Sequence, residues 1–570
     1  MDLWVVLKLL GSLALLMFGM KALSDGLQKI AGPQMRLWLE RMTSNRFMGM
    51  LMGMIVTAAI QSSTATTLMT VSFVNAGMLT LGQAISVILG AHIGTTLTAW
   101  IMSAGFIGGI GEGSGITQYV YIAFLLGIVL IYMKKHKTFG DFLFGAGFLF
   151  LGLGTLKHTA MDLHLEENPD VVNFFGQFVG ETATVSYPLT VLIFLFIGTV
   201  MTLFVRSSAA IMAIVMAICV TGAMPLDLGI ILVLGENIGT TITSNIAALG
   251  ANVNARRTAF SHFLVNMVGV FWVLCLFGPF KSLIYSMTGT DSNALLVLPT
   301  FHSAFNIANT FIMIWFIPVI EKVVCRMIKP KPRAEDEDAR LEFISAGLMQ
   351  TPELSILNAK KEIGVFGERC QKMFGFVRHL LHMETGEEFN KVFSRIEKYE
   401  SITDKMEAEI AEYINQVIDG QLSIESKTEI QRMLRVVSEM ESIGDACYNL
   451  ARSINRKCQN LQEDFTDKQY DSMDSMFDLA EEALAQMNII IKFGEQRYVD
   501  INKSYNMEHE INNYRTQLKN QNVVDINKQK YGYQIGVYYM DIISECEKLG
   551  DYVINVIEAS GIKEKKATGF

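Results

Sequence analysis

A polar string buried in apolar sequence limits this chain to few folds. Gln61-Ser62-Ser63-Thr64-Ala65-Thr66-Thr67 interrupts a long apolar run, and Arg206-Ser207-Ser208-Ala209-Ala210 interrupts another 145 positions later. A second pair keeps the same offset: Gly90-Ala91-His92-Ile93-Gly94-Thr95-Thr96 and Gly235-Glu236-Asn237-Ile238-Gly239-Thr240-Thr241. Two different motifs sharing one offset mark a duplicated unit. Hydroxyls, amides and an arginine at membrane depth are costly, and they mark a solute path.

The charges segregate. Residues 1–330 carry 17 Lys/Arg and 14 Asp/Glu, which leaves 30 and 42 for residues 331–570. The first part is slightly basic and strongly apolar; the second is acidic. One membrane unit and one soluble unit are expected: a transmembrane unit over 1–330, a linker at 331–344, a helical domain over 345–562 and a tail at 563–570. The N-terminal stretch LWVVLKLLGSLALLMFGM lacks the basic start and small-residue cleavage site of a signal peptide, so it reads as a retained membrane helix. The seven cysteines show no CxxC and no zinc-type spacing, and read as reduced apolar thiols. No P-loop or dinucleotide fingerprint is present, and the acidic second half argues against a nucleic-acid partner.

Several apolar segments are shorter than the roughly 20 residues a spanning helix needs, and the short ones flank the two Ser-Ser motifs. Two half-length helices meeting at a polar turn form a re-entrant hairpin, which is tolerated where it is buried or lines a cavity. MFGMKALSDGL (17–27) and FLGLGTLKHTA (150–160) look like matching helix ends, so the repeats fall at about 1–135 and 140–325. Basic clusters at Arg36/Arg41/Arg46, Lys134/Lys135/Lys137, Arg256/Arg257 and Lys322/Arg326/Lys329 place those ends, and the soluble half after them, in the cytoplasm. The loop after His158 is acidic and fits the outer face. Beyond the linker KPKPRAEDEDAR the apolar spacing is helical throughout, and breakers divide it into two three-helix units. The expected fold class is all-α: a polytopic membrane unit of two inverted repeats with re-entrant hairpins, plus a helical bundle.

Gln61, Ser62, Ser63, Thr64, Thr66 and Thr67 supply neutral oxygens suited to a hard cation and donors suited to an oxyanion. Thr95, Thr96, Asn237, Thr240 and Thr241 repeat these ingredients, and a broken helix adds N–H groups that face an anion. In the soluble half, Glu400/Asp404, Glu441/Asp445 and Glu547/Asp551 are i,i+4 carboxylate pairs, and Glu508 with Asn512 is a degraded fourth. Such pairs facing one another across bundles could bind multivalent metal. The recurring Glu-x-x-Gly-Asp context suits close helix approach beside the acids.

TAAIQSSTATT, GAHIGTT and GENIGTT resemble the bacterial members of the type II sodium-phosphate cotransporter family, which is marked by duplicated Gln-Ser-Ser motifs on inverted re-entrant repeats. The resemblance covers most of residues 1–325 and implies Na⁺-coupled transport of inorganic phosphate. Phosphate and Na⁺ would be held by Gln61, Ser62, Ser63, Thr64, Thr66, Thr67, Thr95, Thr96, Arg206, Ser207, Ser208, Glu236, Asn237, Thr240 and Thr241. Two positions depart from the family. Arg206 stands where the second repeat usually has Gln, and it could contact phosphate or pair with Glu236. His92 replaces the first-repeat Asn, and a packing role is expected of it. His262-x-x-x-Asn266 and His302-x-x-x-Asn306 also resemble family positions, with interhelix hydrogen bonding expected rather than ligation.

Residues 345–562 resemble a PhoU domain, which implies regulation of phosphate transport and multivalent metal ions on Glu400, Asp404, Glu441, Asp445, Glu508, Glu547 and Asp551. The implied whole is a multi-pass protein of the bacterial inner membrane that exchanges phosphate and sodium ions across the lipid bilayer. A homo-oligomer is allowed. An exporter, a carrier of another oxyanion and a membrane-anchored sensor are the alternatives. An enzyme is not expected, because no nucleophile–base pair or cofactor motif appears.

Overall fold

The computed structural model describes residues 3–42, 45–75, 77–107, 119–133, 136–180, 183–289, 293–330, 341, 343–344, 352–418, 424–461, 463–493 and 500–562, and these contain helices and no strand. The chain divides into two compact units, Met1–Lys331 and Pro332–Phe570. Most of the expected linker, the tail 563–570, Lys134 and Lys135 lie outside the described residues.

The first unit runs α1 (Leu3–Met42), α2 (Arg46–Ile60), α3 (Ser63–Asn75), α4 (Leu81–Ile107), α5 (Tyr119–Tyr132), α6 (Lys137–Asp162) and α7 (Pro169–Gly176). It continues with α8 (Tyr187–Val205), α9 (Ser208–Val220), α10 (Leu226–Ala247), α11 (Val253–Cys275), α12 (Phe277–Thr288), α13 (Ala294–Met313) and α14 (Ile317–Met327). Seven stretches of the described residues are long and apolar enough to cross a membrane: Val6–Leu27, Leu81–Ile107, Lys137–Asp162, Tyr187–Val205, Leu226–Gly250, Val253–Cys275 and Ala294–Met327.

Each polar string breaks a helix at one residue. Gln61 (φ 57°, ψ 29°) and Arg206 (φ 55°, ψ 23°) both adopt the left-handed conformation that ends α2 and α8. Their N–H groups donate to Thr57 O and Thr202 O, both at 2.8 Å. The next serine then starts the following helix: Ser62 Oγ accepts from Ala65 N and Ser207 Oγ from Ala210 N, both at 3.2 Å. A serine at this position satisfies an N–H that the first helical turn cannot. With 13 residues each, α3 and α9 rise only about 20 Å and fall short of the hydrocarbon core. The 19-residue α8 differs from the short arm expected there, because Ser186-Tyr187-Pro188 starts it four positions earlier than Asn45 starts α2.

The duplication extends to atomic packing. A Cβ on Gly90 would lie 1.8 Å from Met50 O, and one on Gly235 would lie 2.2 Å from Leu195 O. Gly53 likewise abuts Val87 O and Gly198 abuts Leu232 O. Every partner in this set is displaced by 145. Only a residue without a side chain allows two membrane helices to approach so closely. A second relation, offset by 133, joins α1 and α6. Gly19 packs on the Leu149 backbone and Gly152 on the Leu16 backbone, which makes these helices antiparallel.

The second unit comprises α15 (Pro352–Leu381), α16 (Glu387–Ile418), α17 (Ile424–Asn460), α18 (Asp467–Phe493), α19 (Ile501–Asn527) and α20 (Tyr533–Ser560). Helices α15–α17 pack together, as do α18–α20, and α17 lies along α20 to join the halves. Their shared core buries Phe366, Phe374, Phe389 and Phe477 together with Cys370, Cys447 and Cys546. At the start of α18, Thr466 and Gln469 exchange side-chain and backbone hydrogen bonds in a capping box.

Candidate functional site

The two helix breaks converge on one small cavity. Ser63 and Ser208, first residues of α3 and α9, line it together with Ala91, His92 and Thr95 of α4 and Asn237 and Thr240 of α10. His262 and Asn266 of α11 and Asn306 of α13 complete the wall. Its volume is about 10 Å³, roughly the space for one water.

Of the residues singled out from sequence, Ser63, Thr95, Ser208, Asn237 and Thr240 meet at this cavity. Gln61 lies at the break, where its Nε2 donates to Ala58 O at 2.5 Å and its Oε1 accepts from Thr98 Oγ1 at 3.0 Å. Ser62 and Ser207 serve as helix caps. Thr66, Thr96 and Thr241 donate back to carbonyls of their own chain turn, at Ser62, Ile93 and Ile238. Thr64 is half-buried, and Thr67 Oγ1 is fully buried without a hydrogen-bond partner. Arg206 has an exposed side chain, and no ion pair joins it to Glu236 among the described residues. Glu236 is 2% exposed, with Oε2 unpartnered.

The wall also holds residues whose sequence reading was structural. His92 and His262 meet edge to face, with ring centroids 4.9 Å apart. The amides of Asn266 and Asn306 donate to His262 O and His302 O one turn earlier on their own helices. That bonding fixes each carboxamide so that Oδ1 faces the wall: Asn266 Oδ1 has no partner there, while the Asn306 side chain lies within hydrogen-bonding reach of His92. His262 Nδ1 and both ring nitrogens of His302 are also buried and unpartnered. An unsatisfied buried polar atom costs about 1–3 kcal/mol, so this concentration marks a place for ordered water, an ion or a ligand. Sequence spacing places each His-x-x-x-Asn pair on one helix face but cannot show that both faces meet His92.

In the soluble unit, Glu400, Asp404 and Asp445 bring carboxylate oxygens within 4.8 Å of one another. Burial, then Asp445, Glu407 and Asp404, push the Glu441 carboxyl up to about 7. Burial and then its acidic neighbours also raise Glu400 and Asp445. Such a set suits a multivalent cation, whose charge would relieve the repulsion. Gly444 allows the approach, since a Cβ there would lie 2.8 Å from Thr403 Oγ1 on α16.

The second acidic set is built differently. Arg515 Nη2 contacts Glu547 Oε1 at 2.5 Å, and Asn512 Nδ2 donates to Glu508 Oε1 at 2.5 Å. Burial, Glu547 and Glu508 raise Asp551, and Arg515 opposes them. With a resident guanidinium and an amide donor among the carboxylates, this set does not fit a metal ion.

Comparison with known proteins agrees with this division. The Na+/Pi-cotransporter family matches residues 15–158 and 186–320, and the PhoU domain matches residues 365–454. The YjbB protein of Salmonella typhimurium, named for inorganic phosphate export, is 23% identical over 474 residues, covering 83% of this chain and 82% of its own. Protein YqeW of Bacillus subtilis is 28% identical over 276 residues, 47% of this chain and 82% of its own. Human sodium-dependent phosphate transport protein 2B is 31% identical over 129 residues, 22% of this chain and 19% of its own. The crystal structure of the phosphate transport system regulatory protein PhoU from Streptococcus pneumoniae aligns at 14% identity with a TM-score of 0.32, over 37% of this chain and 95% of that one. The chain is a membrane protein that belongs to the Na+/Pi-cotransporter family, a family of transporters, and it carries a PhoU domain in its second half.

Proposed function

We propose that this chain is a sodium-coupled transporter of inorganic phosphate in the bacterial inner membrane, with a cytoplasmic regulatory domain. The observation that carries the proposal is the meeting of Ser63 and Ser208, at the starts of two helices, on one cavity walled by Thr95, Asn237 and Thr240. Free N–H groups and positive dipole ends at the two starts favour an anion, and the hydroxyl and amide oxygens favour Na⁺. Phosphate exceeds the space present, so binding requires the two hairpins to part. The antiparallel pairing of α1 with α6 supports inverted repeats, over about 1–135 and 140–325, that rock about this site to give alternating access.

In the regulatory domain, over about 345–562, Glu400, Asp404, Glu441 and Asp445 hold one multivalent cation. Arg515 takes the place of a second. Metal occupancy of the first set would then stiffen α16 against α17 and report cellular conditions to the transporter. Arg206, at an exposed helix break, attracts phosphate toward the site rather than pairing with Glu236.

Export is the second reading, and the YjbB relative named for phosphate export favours it. The same site and the same coupling serve either direction. Binding of labelled phosphate to the purified full-length protein tests the site. The affinity should rise with sodium and fall at least tenfold in Ser63→Ala with Ser208→Ala. Sodium-independent binding that the double variant leaves intact would refute the assignment.

A further inference from the structure

We propose that His92 is a proton-carrying site, so that a proton accompanies phosphate through this cavity. The inference rests on the transport reading above and adds the identity of a coupling ion. Its starting point is the broken symmetry of the repeat. Position 92 on α4 and position 237 on α10 are equivalent under the 145 offset, and both line the cavity. Asn237 offers a carboxamide oxygen, the kind of ligand Na⁺ accepts; His92 offers an imidazole, a poor ligand for so hard a cation and a good base.

The surroundings of His92 are rich in acceptors. Asn266 and Asn306 have committed their amide N–H groups to His262 O and His302 O, which leaves two carboxamide oxygens as acceptors, that of Asn306 within reach of His92. Both asparagines line the cavity with His92, whose ring centroid is 4.9 Å from that of His262. A neutral imidazole has one N–H, whereas a protonated one has two. One added proton therefore gives the cavity a donor that one of these oxygens can accept, and a positive charge beside the incoming anion. When phosphate leaves, the charge loses its partner and the proton leaves with it.

Few other ionisable groups reach this depth. The elements packed on α4 contribute His262 from α11 and His302 from α13, while α10 contributes Glu236. Helix α3 has no ionisable residue, and α2 has only Arg46 at its far end, against Trp315. Helix α9 has Cys219 in its last turn, away from Ser208. Arg256 and Arg257 lie in the first turn of α11, and Arg257 is held there by Ile328 O and Asn254. Lys157 of α6 is tied to Phe106 O, and Glu321 of α14 lies against Gly82, at opposite ends of α4. His92 and His262, in edge contact, are thus the base pair that phosphate meets.

The test uses the full-length protein in proteoliposomes and reads labelled phosphate flux with and without an imposed pH gradient, at fixed sodium. Because His92 lines the cavity, the readout is the ratio of the two fluxes and not the rate. The wild-type ratio should be at least about fivefold, and His92→Asn and His92→Gln should bring it near one. Both variants experience the same phosphate ionisation, so that effect cancels in the comparison. A wild-type ratio near one, with sodium-driven flux present, overturns the proton assignment alone. A ratio that both variants retain, or a loss of all flux in both, overturns it too. Absence of wild-type flux under either gradient overturns the transport reading along with it.

Discussion

Gln61 and Arg206, 145 positions apart, hold the same left-handed backbone conformation, each with its N–H on the carbonyl of the threonine four residues earlier. Neither is glycine, so both breaks carry a conformational cost that the surrounding packing must offset. The side chains then diverge. Gln61 is bonded to Ala58 O and Thr98, while Arg206 is exposed.

Arg206→Gln should leave the helix break intact, since Gln61 already adopts it. Losing a charge on the approach path should raise KM for phosphate roughly threefold to tenfold at low ionic strength, with kcat little changed. The difference should shrink at high salt, as screened steering does. Initial-rate transport at two salt concentrations measures it. A fall in kcat at constant KM would instead place Arg206 in the transport step.

Gly90→Ala and Gly235→Ala should each lower the melting temperature of the detergent-purified protein, because the new methyl meets a backbone oxygen that cannot swing away. Overpacking of this kind costs about 1–3 kcal/mol, or a drop of roughly 1–4 °C for a unit of this size. Gly278→Ala is the control, because nothing lies within 4 Å of its Cβ position. Equal melting points for all three would contradict the packing account.

In the soluble unit the pH dependence has a definite sign. Glu441 is raised from its ordinary value of 4.5 to about 7, so the folded state holds its proton more tightly than the unfolded state does. Its contribution to stability is complete below pH 4.5 and is lost as pH rises through about 7. Amide hydrogen exchange in α16 and α17 of the metal-free chain should therefore speed up between pH 5 and pH 8, after correction for the intrinsic rate. Glu441→Gln should flatten that dependence. A multivalent cation should restore protection at the higher pH.

Arg515→Ala should convert the second acidic set into a cation site. Removing the guanidinium leaves Glu547, Glu508 and Asp551 with less compensation, and bound metal can replace it. Elemental analysis of the purified chain should move from about one multivalent ion per molecule toward two. An unchanged ratio would show that Asn512 alone disables the set.

The duplication was legible because identical residue types recur at one offset, and the structure repeats that offset in contacts such as Gly90 with Met50 and Gly235 with Leu195. Three boundaries in the soluble half were legible too, since breakers at LHMETGEEF, VIDGQLSIES and LQEDFTDKQY fall between the observed ends of α15, α16, α17 and α18. The composition of the cavity wall was not. His262 and Asn306 are distant in sequence from His92, and only the packing of α11 and α13 on α4 brings them together. The role of Arg515 is not legible either, for a related reason. The residue lies outside the i,i+4 carboxylate pattern, and its role follows from the proximity of α19 to α20.

Labelled phosphate flux in proteoliposomes, with sodium gradients of either sign, tests the central claim most directly. The account predicts flux that follows the sodium gradient in direction and falls at least tenfold in Ser63→Ala with Ser208→Ala. Flux indifferent to sodium, or undiminished in the double variant, would contradict it.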